Sequence, residues 1–379
     1  MQYRRCLEAH KTAELIARND LQGAPACLDA CLDVLWDCHA IVYGMFDYYS
    51  ACGSSDDIFH VQLNSYKSIV EGCGLFEAGS NVLNLTAFDQ LFVAVTAGKK
   101  GDSARSLNRQ EFLQCLIRFA ILRHVQPRSK GALGAFDTVA DALRYLLMHE
   151  MVPSIDRRAL HDVQTFREES CYVQDMDTIL RAFEFSLKSI YIVYSKGDGG
   201  IGDELKSTKM MDYSEWKELV KDLQLVEEDF TSREVSLTFL WSRMRVVKPE
   251  LLASKVKLIQ LSFTDFLEAL VRVACTKAFP TDEEIFDYGC EDAGDFILKI
   301  RGDPQDHMTF LENDFRPWGA PLQRPAYQLT ECLCNLMMRT ISTTIAASDP
   351  RKAIRGPEDV TQDDVQLFKK LARLQRAKN

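Results

Sequence analysis

Few residues in this chain have the types and spacing to do chemistry. Gly197, Gly199 and Gly202 of GDGGIG match G-x-G-x-x-G, a spacing that lets backbone approach a pyrophosphate. An apolar run, SIYIVYS, precedes it as a strand would, and Glu218 falls near the place of a ribose-binding acid. That chemistry needs strands alternating with helices, which do not follow, and the segment lacks the Lys-Ser/Thr ending of a P-loop. A loop between helices accounts for it better, with a nucleotide-binding enzyme as an alternative. The twelve cysteines include no CxxC pair. Cys27, Cys31 and Cys38 sit at helical spacing among Leu28, Leu32 and Leu35, as small core residues do. Cys38 with His39 is the nearest approach to a zinc pair, and buried thiols in a reducing compartment are expected instead. No G-x-S-x-G or kinase catalytic loop occurs, and His149-Glu150 continues as Met-Val-Pro rather than as H-E-x-x-H. Seven acids between 282 and 295 read as a solvated helix start. No catalytic residues are assigned, and no enzyme is expected.

The elements that would position such residues are helices. The chain has 379 residues, 46% of them hydrophobic, and glycine and proline together make only 30. Apolar material is therefore ample for a core, and breakers are scarce. The net charge of −10 argues against general nucleic-acid binding. Residues 351–379 carry eight Lys/Arg against four Asp/Glu, so this tail is +4 and the remainder −14. No run of about 18 uncharged apolar residues occurs, and MQYRRCLEAHK has no apolar core, so neither a membrane span nor secretion is expected.

The chain repeats itself. EFLQCLIRFAILRHV (111–125) aligns with DFLEALVRVACTKAF (265–279) at an offset of 154, sharing Phe, Leu, Leu, Arg and Ala in register. YKSIVEGCGL from Tyr66 aligns with WKELVKDLQL from Trp216 at 150, and FDYYS (46–50) with YIVYS (191–195) at 145. Three matches in one order indicate a duplicated unit with loop insertions. Each half predicts an entering helix (28–50, 173–195), a polar loop, an apolar residue, an exit helix, and then a second helical pair. An amphipathic helix over 136–153 follows the first half, and 292–300 is its expected counterpart.

Loop, apolar residue, then an acid four positions on is the plan of a calcium-binding hand. On these residues the chain resembles the EF-hand proteins of the calmodulin superfamily, over roughly 30–126 and 173–280. The resemblance implies two lobes of two hands, with Val61, Leu107, Met211 and Leu261 pairing the loops as short β-bridges. Ser65, Glu111, Glu215 and Asp265 then occupy the calcium-closing positions. The ligands have mostly gone. The loop before Glu111 begins with Lys100 and has Arg105 at the glycine position, and the loop before Asp265 has no earlier acid. Only the stretch 195–215 keeps several oxygen donors, Asp198, Asp203, Asp212 and Glu215, which the resemblance implies as the candidate calcium ligands.

Residues 302–328 hold four prolines and several aromatics, as an ordered arm laid across a surface does. Thr361 caps a final helix, with Asp364 in the capping-box position. Phe368, Lys369, Lys370, Leu371 and Arg373 on it form a basic amphipathic face for an acidic partner protein, or for the chain's own acidic body. The expected fold is all-α: a first lobe with N-terminal helices (1–126), a helical linker (127–172), a second lobe with a trailing helix (173–301), and an extended arm with a basic C-terminal helix (302–379). Degenerate lobes of this kind resemble those of proteins lining ciliary and flagellar microtubules. The resemblance implies a cytoskeletal structural or adaptor protein that binds tubulin or other axonemal proteins. The alternative is a calcium sensor acting through the 198–215 loop.

Overall fold

The computed structural model describes residues 12–19, 24–53, 57–97, 99, 101, 105–126, 135–196, 210–244, 252–349 and 360–377. The chain is all-α and divides into two compact units, Met1–Asp162 and Val163–Asn379. Among the described residues no helix is long and apolar enough to cross a membrane.

The first unit runs α1 (Thr12–Asn19), α2 (Ala24–Asp37), α3 (His39–Ala51), β1 (Val61–Gln62), α4 (Leu63–Gly72), α5 (Leu85–Thr96), β2 (Ser106–Leu107), α6 (Arg109–Ala120) and α7 (Val139–Tyr145). Helices α6 and α7 each continue into a wide π-type turn, Ile121–Val125 and Leu146–Met151. The second unit runs α8 (Val163–Phe166), α9 (Gln174–Ala182), α10 (Glu184–Tyr194), β3 (Met211–Asp212), α11 (Tyr213–Asp222), α12 (Ser232–Ser242), α13 (Leu252–Ile259), β4 (Gln260–Leu261) and α14 (Phe263–Thr276). It then adds α15 (Asp282–Asp287), α16 (Ala293–Ile300), α17 (Pro304–Asp314), α18 (Ala326–Ser348) and α19 (Gln362–Arg376). The run SIYIVYS belongs to α10 and the turn after it, so GDGGIG is not preceded by a strand.

The duplication is carried into the backbone. Val61 pairs antiparallel with Leu107 and Met211 with Leu261, the four apolar positions expected to meet. All four are fully buried, which fixes the register of strands only two residues long. The entering helix is broken in both units at the same place of the repeat, Cys38 (φ −94°, ψ 13°) and Phe183 (φ −98°, ψ 6°). The Tyr66 hydroxyl donates to the Phe88 carbonyl at 2.6 Å, and the Trp216 indole donates to that of Val235 at 3.0 Å. Arg123 donates to the Leu75 carbonyl at 2.6 Å, and Lys277, its equivalent at offset 154, to that of Leu225 at 3.2 Å.

Two boundaries differ from those expected. Residues 127–172 are not one linker: α7 packs on α2 and α6 within the first unit, because Val139, Ala142, Leu143, Leu146, Leu147 and Met151 need cover. The element standing in the corresponding place on α9 and α14 is α18, not the expected 292–300 segment, which forms α16 and packs on α18. Residues 302–379 are accordingly mostly helical rather than an extended arm, since α18 buries Leu333, Leu336, Met337 and Ile341 completely. The arm proper is 315–325, where the Trp318 ring lies 5.0 Å from that of Trp241 and Arg316 donates to the Cys275 carbonyl. In each unit the chain returning from the trailing helix covers the second half of the entering helix. Arg157–Leu160 lies on α3, so close to Gly44 that a Cβ there would stand 2.3 Å from the Ala159 oxygen, and α19 lies on α10.

Candidate functional site

The expected calcium ligands divide into two pairs. Asp198 and Asp203 lie outside the described residues, as do the GDGGIG glycines. Asp212 and Glu215 form the capping box of α11. The Asp212 carboxylate accepts from the Glu215 N–H at 2.9 Å and from the Ser214 hydroxyl at 2.6 Å, while Glu215 accepts from the Asp212 N–H at 2.8 Å. Asn108 with Glu111 caps α6 and Ser262 with Asp265 caps α14 in the same way. Each box satisfies helix-terminal amides that have no partner within the helix, which is worth about 1 kcal/mol. Among the described residues no group of three or more His, Cys, Asp or Glu side chains is arranged to hold a metal ion.

Around Glu111 the structure places a cation of the chain itself. The Lys99 ammonium donates to Glu111 Oε2 at 2.6 Å and to the Ser106 carbonyl at 3.2 Å. Counted from Lys100, these two oxygens belong to the seventh and twelfth loop positions, the places of a carbonyl and a closing carboxylate in a calcium loop. Among the described residues no ion pair to Asp265 is formed, and the charges of Arg167 and Lys257 act on it from further away. Burial pushes its carboxyl up, with the hydrogen bonds from Ser262 acting the other way.

The five residues of the expected partner face are divided by the packing of α19 on α10, α11 and α18. Phe368 is 1% exposed and is therefore a core residue, worth about 2 kcal/mol of burial, and not a contact for another protein. Lys369, Arg373 and Arg376 converge on Glu218, at 3.1, 2.8 and 3.2 Å. Burial acts to raise the Glu218 carboxyl; the hydrogen bonds from Arg373 and Lys369 outweigh it and hold it down at about 2. The Lys369 ammonium also sits 4.6 Å over the Tyr194 ring. Beneath them Asp222 accepts from the Tyr194 hydroxyl at 2.7 Å and lies 2.8 Å from the Arg376 guanidinium. Burial pushes its carboxyl up to about 6, against that hydrogen bond and the charge of Arg376. Leu371 is half-buried, and Lys370 is exposed.

Lys99 and Asp222 carry no signal in the sequence, because each acquires its role from a partner set by folding. Glu218, which the glycine spacing places as a ribose acid, instead anchors the basic helix. Five of the seven acids of 282–295 are helix caps or ion-pair partners, with Arg339 on Asp292 and Glu291 at 2.7 Å and Arg324 on Asp282 at 3.1 Å. Cys38, Cys115, Cys332 and Cys334 are buried thiols outside any disulfide, and burial pushes each of them up. No protein-family model matches the chain, and neither a curated protein nor a solved structure is detectably similar to it.

Proposed function

We propose that this chain is a non-catalytic structural or adaptor protein of two EF-hand-like lobes, which uses its helical surfaces to bind other proteins. The observation that carries the reading is the Lys99 ammonium on the Glu111 carboxylate and the Ser106 carbonyl. It supplies the positive charge that a divalent ion would bring, so the α5–α6 pair closes without metal. The Glu215 and Asp265 carboxylates serve as helix caps in the companion loops. On this reading the loops are fixed joints, and the lobes hold one shape whatever the calcium concentration. The resemblance to proteins of ciliary and flagellar microtubules names the setting, with tubulin or other axonemal proteins as partners.

The test is extraction of the tagged protein from its native cell, first with detergent and then with salt. Retention in the cytoskeletal pellet through salt is the expected result, and complete release by detergent alone would overturn the structural role. Calorimetric titration with calcium is expected to give no saturable heat. A saturable heat that Asp212→Ala with Glu215→Ala abolishes would replace this reading with a calcium sensor. Lys99→Ala is expected to lower stability by about 1–3 kcal/mol, since it strips a nearly buried carboxylate of its ion pair. Calcium should not restore the loss, which thermal unfolding with and without the ion would check.

A further inference from the structure

Beside the ladder that holds α19 in place, the structure forms a basic cleft. It occupies ≈ 450 Å³ between the C-terminal end of α10 and the outer side of α19, and Val193, Lys196, Lys369, Lys370, Arg373 and Leu374 line it. With Gln366 they make seven lining residues, of which four are cations and, among the described residues, none is an acid. Lys369, Arg373 and Arg376 meet the carboxylate of Glu218, and Arg376 also meets that of Asp222, so three positive charges face two carboxylates there. Lys196 and Lys370 are exposed, and among the described residues neither has an acidic partner. Leu374, on the same side, leaves 52% of its surface in water.

We propose that this cleft binds an acidic peptide segment of a partner protein, with carboxylates on Lys196, Lys370 and Arg373 and an apolar side chain against Leu374 and Val193. The assignment rests on the protein-binding reading above and names the chemistry of the partner. Charge complementarity selects the occupant. The chain outside residues 351–379 carries −14, so an acidic partner is repelled by most of the molecule and drawn to this tail. A small inorganic anion would meet the cations but leave Leu374 and Val193 unused, and an acidic segment with an apolar residue uses both. The cations in the cleft project from helix sides and from the C-terminal end of α10, where a positive charge is favoured by the helix dipole. The excess lies at Lys370 and Lys196, which the docking of α19 does not need.

The experiment uses the full chain and a fluorescent twelve-residue peptide rich in Glu and Asp with one central Leu, followed by anisotropy. Competitors are the same peptide with Lys in place of its acids, and inorganic phosphate. Saturable binding is expected, weakened about ten-fold by Lys196→Glu with Lys370→Glu, and also weakened by salt. Both residues are exposed, so the helical circular dichroism and the melting temperature should stay at the parent's values. Leu374→Ser is expected to weaken the peptide about three-fold without affecting any phosphate competition. Absence of saturation at millimolar protein, or equal affinity in the double variant, would overturn the assignment. Equal competition by the Lys peptide would do the same. Displacement by phosphate at concentrations matching the peptide's would make the cleft a small-anion site and overturn the peptide assignment. Failure here, with the protein still held in the salt-extracted pellet, removes the cleft and leaves the structural role standing.

Discussion

Gln224 holds a left-handed backbone (φ 55°) just past α11, where Gly74 does the same past α4 (φ 58°). Both close the same C-terminal turn: Leu75 N–H donates to the Val70 carbonyl and Leu225 N–H to that of Val220, each at 3.0 Å. Glycine takes this conformation freely and glutamine does not, so Gln224→Gly is expected to stabilise the second unit by about 0.5–1 kcal/mol, read from chemical unfolding. Asp222 has its pH dependence fixed by burial. With the folded value raised, the carboxyl favours the fold below the usual carboxylate range and withdraws that support as pH rises through about 6. Asp222→Asn should therefore be more stable than the parent at pH 7.5 by about 1–3 kcal/mol, read from chemical unfolding, with the advantage gone near pH 4. A constant difference across that range would show that Asp222 does not titrate as placed. Single residues were also where the sequence was most ambiguous. Asn108–Glu111, Asp212–Glu215 and Ser262–Asp265 have one spacing that serves both a calcium-closing carboxylate and a capping box. The structure shows the capping hydrogen bonds at all three.

Among the elements, the crossing of α16 and α18 leaves no room for a side chain at its contact. A Cβ on Gly294 would stand 2.7 Å from the backbone of Asn335 and Leu336, closer than side chains pack. Gly294→Ala must push the two helices apart and is expected to cost about 1–3 kcal/mol, measurable as a lower melting temperature with the helical signal retained. The bridges were legible at this scale because an apolar residue just before a capping pattern marks both the strand and the helix start. The breaks at Cys38 and Phe183 were not, since neither position has the glycine or proline that announces a helix end. The trailing helix of the second unit was misplaced for a different reason. Sequence order favoured 292–300, whereas the surface of α9 and α14 needs a longer apolar face, and the 23 residues of α18 provide one.

For the whole molecule, the boundary at Asp162/Val163 means that each unit has its own core. Residues 1–162 and 163–379 made separately are each expected to be helical and to unfold in one cooperative transition by circular dichroism. A fragment that stays unfolded would show that the unit is not autonomous. The duplication and helical class were readable from the chain because they are written in offsets and apolar spacing. The covering of α10 by α19 was one of two options, since a basic helix suits its own acidic body as well as a partner's. Lys99 has a consequence of another kind. A dissolved ion leaves its site at some rate and returns at a rate set by its concentration, whereas an ammonium tethered by the backbone faces its carboxylate at an effective concentration that the cell does not change. On the proposed function, a lobe closed in this way would have no residence time to tune and could not be emptied by a chelator. On the same reading its helices are expected to keep the same angles through every calcium pulse, as a permanently loaded joint.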